Sequence, residues 1–272
     1  MGKVSGWVRA RLALPERCRG TGSRWNEVAG FGPAEIVYVG LCDFSTLTSR
    51  LVEWNPRTGT VRDLISEPLH TWTMNDGSGG ADGRAYTILK GDGPRFVSVP
   101  TFHEAYSGSF ELLAYDAAGA LLWKTQLREK VSPFANLAVA SEDKRGFMTC
   151  SELGMEEFDL RDGKSIGRVQ PPRTDSSGTE LAASKDGRFI FSSRGRTNEI
   201  MIFDVEERVW LPPLTYANTC IGPSPIPSPD GRWLAACGFD PQTLRTAAPP
   251  GNLQYHLLLF DTSKLPRAGE GR

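Results

Sequence analysis

The side chains that could carry chemistry are few and scattered. The three histidines, His70, His103 and His256, lie far apart, so a shared metal site would require the fold to gather ligands from distant segments. Gly77-Ser-Gly-Gly-Ala-Asp-Gly83 is glycine-rich like a phosphate cradle. It matches neither Gly-x-Gly-x-x-Gly nor the Lys-Ser/Thr ending of a P-loop, and no helical pattern follows. It reads as a flexible loop. Asp76 and Asp82 within and beside it miss the spacing of a calcium loop. No Gly-x-Ser-x-Gly elbow occurs, which removes the commonest serine-hydrolase signature. The cysteines, Cys18, Cys42, Cys150, Cys220 and Cys237, are odd in number and form no Cys-x-x-Cys pair. They therefore argue against a disulfide framework or a zinc knuckle and point to a reducing, cytoplasmic setting. No cofactor and no metal is expected.

What would position any site is a repeat. Apolar stretches are short and bounded by Gly, Pro and Asp, the pattern of strands rather than helices. One unit is a tight turn entering an apolar strand: Gly32-Pro-Ala-Glu-Ile-Val-Tyr-Val, Gly93-Pro-Arg-Phe-Val-Ser-Val, Arg145-Gly-Phe-Met-Thr-Cys, Asp186-Gly-Arg-Phe-Ile-Phe and Asp230-Gly-Arg-Trp-Leu-Ala-Ala-Cys. A second ends an apolar strand in an aromatic and a turn residue: Leu51-Val-Glu-Trp-Asn55, Leu112-Leu-Ala-Tyr-Asp116, Met155-Glu-Glu-Phe-Asp159, Ile200-Met-Ile-Phe-Asp204 and Leu257-Leu-Leu-Phe-Asp261. The two sets interleave strictly, as a repeat architecture requires.

These units resemble the blades of WD-type and TolB-type β-propellers, in which a Pro-Asp-Gly hairpin joins strands A and B and an aromatic-Asp pair ends strand C. Ser228-Pro-Asp-Gly-Arg-Trp-Leu-Ala is the closest match. Ala114-Tyr-Asp-Ala-Ala-Gly-Ala-Leu-Leu-Trp123 is also similar to the tryptophan-docking repeat of quinoprotein-like propellers. The resemblance implies an all-β fold, a single five-bladed β-propeller, with blades at 25–66, 67–128, 129–172, 173–215 and 216–264. It leaves activity open, because this fold hosts unrelated functions.

A propeller ring must close or expose unpaired strand edges. After Phe260-Asp261 the chain is rich in Pro, Gly and charge, a poor outer strand, whereas Val8, Ala10, Leu12 and Leu14 alternate with Arg9 and Arg11 near the start. Residues 1–14 are therefore expected to supply, through 7–14, the closing strand of the last blade. Cys42, Cys150 and Cys237 fall near the end of strand B in blades 1, 3 and 5, where small apolar residues suit core packing.

The spacing between the two units is 23, 23, 13, 17 and 30 residues round the five repeats, so the B–C connections of blades 1, 2 and 5 are expected to be long and to share one sector of one face. Long loops on a rigid scaffold are where binding residues concentrate. Phe44, Arg50, Phe102, His103, Glu104, Tyr106, Phe239, Asp240 and Arg245 mix aromatic and polar character suited to a protein or peptide partner, with Arg194 and Arg196 added on the same side. The alternative is that Phe44, Phe102 and Phe239 only pack the loops together. Charge nearly cancels, with 31 basic and 32 acidic residues, so neither nucleic acid nor a membrane surface is called for. A propeller hydrolase or lactonase-like enzyme at the channel mouth is the rival expectation. Only Glu27 and Glu180 are acidic on the expected inner strands, and they fall on non-adjacent blades, so the noncatalytic scaffold is preferred.

Overall fold

The computed structural model describes residues 26–32, 36–43, 46–73, 79–100, 110–127, 137–140, 142–150, 154–172, 180–193, 197–217, 220–221, 225–228, 230–239 and 255–265. The expected closing strand at 7–14 lies outside them. Among the described residues the regular structure is β-sheet, with one short 3-10 turn at Thr262–Lys264.

The first sheet runs β1 (Asn26–Phe31), β2 (Val37–Asp43), β3 (Thr48–Trp54) and β4 (Val61–Pro68) as an antiparallel meander. A hairpin of β5 (His70–Thr73) and β6 (Gly79–Asp82) follows. The glycine-rich segment read as a flexible loop is thus partly a strand, because the β-forming Thr71, Trp72 and Thr73 supply the partner that its glycines alone would not specify. The second sheet comprises β7 (Arg84–Ile88), β8 (Phe96–Pro100), β9 (Phe110–Tyr115) and β10 (Leu121–Leu127). The third comprises β11 (Leu137–Ala140), β12 (Arg145–Cys150), β13 (Gly154–Asp159) and β14 (Ser165–Val169). The fourth comprises β15 (Glu180–Ala183), β16 (Phe189–Ser193), β17 (Glu199–Asp204) and β18 (Val209–Thr215).

In the last sheet β19 (Cys220–Ile221) and β20 (Ile226–Pro227) both pair with β21 (Trp233–Phe239), whose other edge pairs with β22 (Tyr255–Asp261). Pro225, just before β20, and Pro227, within it, lack the backbone N–H that a longer paired strand would donate there.

The second sequence unit has a physical basis. Its turn residue caps the hairpin that follows: Asn55 Oδ1 accepts from Arg57 and Thr58 N–H, Asp116 Oδ1 from Ala118 and Ala120, Asp159 Oδ1 from Arg161, Asp204 Oδ1 from Glu206 and Glu207, and Asp261 Oδ1 from Ser263. Such short polar side chains satisfy turn donors that no strand reaches. At Asp159 the Arg161 guanidinium adds contacts of 2.9 and 2.5 Å and holds the carboxyl down to about 2. A carboxyl depressed in this way favours the folded turn above its unfolded value, and the contribution fades as pH falls toward 2. A carboxyl NMR titration should find the Asp159 midpoint near 2, and Arg161→Gln should return it to the ordinary aspartate range. An unmoved midpoint would count against the guanidinium as cause.

The hairpins also tie neighbouring sheets. Gly119 has φ +86°, and a Cβ there would lie 2.0 Å from the Leu64 carbonyl oxygen of β4. Gly163 is seated likewise on β10, where Trp123 Nε1 donates to Leu160 O at 3.1 Å and Thr125 Oγ1 to Gly163 O at 2.6 Å. In the fourth sheet the left-handed turn position is Arg208, φ +56°, whose guanidinium reaches buried Glu157 of the third at 2.7 Å.

Strand alternation sends the two faces of the second, third and fourth sheets into different cores. Tyr38, Leu51, Phe96 and Tyr115 pack between the first and second sheets; Val97, Val99, Leu112 and Phe158 between the second and third. Phe147, Ile190 and Phe203 pack between the third and fourth; Phe191, Ile202, Leu234 and Leu258 between the fourth and last. No such cluster joins the last sheet to the first among the described residues. Val39, Leu41 and Val52 form a cluster on the first sheet alone. The other face of the last sheet is bare: Ile226, Leu257 and Leu259 are 64%, 73% and 60% exposed, and Cys237 is exposed opposite Leu257. Cys237 therefore departs from the core role expected of it, whereas Cys42 is buried and donates its thiol to the Arg84 carbonyl. Gly59, the first sheet's counterpart of Gly119, has nothing within 4 Å of a built Cβ.

Candidate functional site

Of the residues expected to form a recognition rim, Arg50 and Phe239 are described. Phe44, Phe102, His103, Glu104, Tyr106, Arg194, Arg196, Asp240 and Arg245 lie outside the described residues. Arg50 sits within β3 and donates from Nη1 to Asp63 Oδ1 of β4 at 3.3 Å. Phe239 is the half-buried last residue of β21, paired with Cys220 and Tyr255. These two are strand residues of the first and last sheets rather than loop residues. The first sheet's B–C connection is also shorter than the spacing implied, spanning 44–47, because β2 and β3 are long and take up the extra residues. Between the described B and C strands lie residues 101–109 in the second sheet and 240–254 in the last, against 151–153 in the third, all outside the described residues.

A buried polar cluster that the sequence reading did not anticipate lies between the first two sheets. Glu67 of β4 is buried. Its Oε1 accepts from Tyr86 OH at 2.7 Å and Ser98 Oγ at 2.6 Å; its Oε2 accepts from Tyr115 OH at 3.0 Å and lies 3.2 Å from Arg84 Nε. Arg84 also donates to Ser98 Oγ and to the carbonyls of Ser98 and Glu111. Because the Tyr86 proton is committed to Glu67, Ser49 Oγ donates to Tyr86 OH at 3.0 Å. Burial, and after it the Glu67 charge, pushes both phenols well up, so they remain protonated donors. With its donors and acceptors matched and its members buried, the cluster is a clasp that ties the first two sheets together. The isolated Glu at the end of an alternating strand is the only trace of it in the sequence.

A groove of about 390 Å³ opens between the fourth and last sheets, at the end of the strands where A–B hairpins turn. Phe189, Phe191 and Leu265 form its apolar wall, with Lys185, Asp186 and Asp230 at the mouth. Arg188 is committed within it, donating to Asp204 Oδ2 at 3.1 and 2.9 Å while lying 5.0 Å from the Phe189 ring centre. Asp230 is held below its usual range by hydrogen bonds from Ser228 Oγ and the Arg232 N–H. Among the described residues no three His, Cys, Asp or Glu side chains converge as metal ligands, and no helix is long and apolar enough to cross a membrane.

Antiparallel four-stranded sheets packed face to face, each capped by the same turn, define a β-propeller fold. Solved structures agree. The chain is similar to Kuenenia stuttgartiensis hydrazine synthase, at 12% identity and TM-score 0.57 over 90% of this chain and 66% of that one. It is similar to the β-propeller domain of Myceliophteria thermophila Cps50 (Swd1), at 14% and 0.55 over 87% and 71%. The Neurospora crassa Pan2 WD40 domain matches at 11% and 0.57 over 88% and 62%. The chain thus spans about two thirds of the length of the solved chains it matches, at identities that establish the fold alone. No family model and no curated protein matches the sequence.

Proposed function

We propose that the protein is a noncatalytic, protein-binding propeller scaffold whose five sheets are the blades of one ring. In this reading residues 7–14 pair with the free edge of β22 as the outer strand of the last blade, and the first sheet then covers the bare face of the last. The exposed Leu257 and Leu259 and the empty surroundings of Gly59 support that closure from its two sides.

The observation that carries the binding role is the uneven length of the B–C connections. Those at 101–109 and 240–254 stand on the two blades that flank the first in the proposed closed ring, whereas that at 151–153 is minimal. A scaffold that only needed to be stable would not require the difference. Phe102, His103, Glu104 and Tyr106 from one connection, with Asp240 and Arg245 from the other, supply aromatic anchors and polar rim groups for a protein or peptide. Among the solved structures it resembles are a WD40 domain and a β-propeller domain. Another is an enzyme by name, so the preference rests on this chain's residues.

Affinity purification from the native host followed by mass spectrometry tests the reading. Phe102→Ala with Phe239→Ala should abolish capture of the principal partner. Because Phe239 is half-buried in β21, Phe102→Ala with Tyr106→Ala serves as the companion that leaves the sheet intact. Retained capture by both variants would overturn the proposed rim.

A further inference from the structure

We infer that an extended, proline-free segment of the protein partner adds to the free edge of β5 as a third strand of the β5–β6 hairpin, a step that rests on the scaffold reading for the partner itself. The hairpin stands beside the proposed rim. Leu69, the residue before β5, donates its N–H to Leu47 O in the first sheet's B–C turn at 2.8 Å. Arg84, at the start of β7, pairs with Pro100, the last residue before the connection at 101–109. Both ends of the hairpin are therefore anchored next to B–C connections.

An edge strand invites pairing unless something blocks it. In each of the first four sheets the outer strand is blocked. Its register shifts so that an extra residue, Leu64 in β4, Leu122 in β10 and Ile166 in β14, interrupts the ladder, and β18 carries Pro212-Pro213 at its shift. β5 has none of these devices. It pairs in continuous register, from His70 opposite Asp82 to Thr73 opposite Gly79, and holds no proline, lysine or bulge. Among the described residues neither hairpin strand pairs with any other. Two strands of four residues are marginal as a free-standing sheet in water, and a third strand supplies what they lack. Thr71, Trp72 and Thr73 favour an extended backbone, whereas Gly79 and Gly80 of β6 do not, which makes β5 the edge that pairs. Strand addition draws its affinity from main-chain hydrogen bonds, so the added segment need only be extended and keep its N–H groups.

The probe is the principal protein that the tagged full chain recovers from a clarified lysate of its native host, purified and returned to the chain. Hydrogen exchange read by mass spectrometry should show the backbone amides of 70–73 slowed at least roughly tenfold in the complex. Replacing residues 71–81 by Gly-Ser-Gly should weaken binding at least roughly tenfold while moving the melting temperature by no more than about 2 °C, because the blades pair without the hairpin. Thr71→Gly with Thr73→Gly, which keeps the hairpin's length, is the second variant should the shortened chain fail to fold. Unchanged exchange at 70–73 in the complex, or full binding by a folded variant of either kind, would overturn the inference. Phe102→Ala with Tyr106→Ala separates it from the rim. Full binding by that variant, with none by the shortened chain, removes the rim and leaves the added strand; the reverse result removes the added strand and leaves the rim.

Discussion

Glu67→Ala is expected to lower the free energy of unfolding by about 3–5 kcal/mol, the cost typical of removing one partner of a buried ion pair. The substitution strands the Arg84 guanidinium, 7% exposed and 3.2 Å from the lost carboxylate. It also removes the acceptor of three hydroxyl donors, Tyr86, Ser98 and Tyr115. Glu67→Gln should recover only part of the loss, because an amide presents donors where the site supplies donors. Glu53→Ala is the control, since its pair with Arg62 is at the surface, with Arg62 62% exposed, and should cost no more than about 1 kcal/mol. Denaturant unfolding reads all three, and a Glu67→Ala protein as stable as the control would show that the clasp does not hold the first two sheets together.

Deleting residues 1–14 is expected to lower the melting temperature and to speed maleimide labelling of Cys237. If 7–14 forms the outer strand beside β22, the deletion removes the apolar contacts of Val8, Leu12 and Leu14, each worth about 1.5–3 kcal/mol when fully buried. In the proposed closed ring it would also free the edge of β22 and weaken the packing of the first sheet over Ile226, Leu257, Leu259 and Cys237, which stand exposed among the described residues. The labelling rate separates closure from a general loss of stability, because it is measured under native conditions at a thiol on the bare face. An unchanged melting temperature and an unchanged rate would together rule out this strand as the closure of the ring.

The parts of the fold that were legible in the sequence are those made locally. Asn55, Asp116, Asp159, Asp204 and Asp261 bond to donors within a few residues of themselves, so their spacing alone announces the hairpins. Contacts between segments distant in the chain leave no comparable mark. Glu67 meets Arg84, Tyr86, Ser98 and Tyr115 only after two sheets have formed. The length of the first B–C connection was misread because spacing cannot separate long strands from a long loop. Cys237 was misplaced because strand position fixes the face of a sheet but not whether a neighbour covers it. The groove between the fourth and last sheets was missed for a related reason. Its two Ser-x-Asp-Gly-Arg turns are local patterns that announce hairpins but not the space left between two sheets.

Among the described residues, each of the first four sheets is a meander of consecutive strands, and the second, third and fourth each pack against the one before. During synthesis, a sheet can complete its hydrogen bonding as soon as its own segment has left the ribosome, and the surface it then needs is already in place. Assembly can therefore proceed in the order of translation with little long-range searching. Premature termination between sheets would release a shorter stack whose last exposed side is apolar, the form most open to chaperone capture.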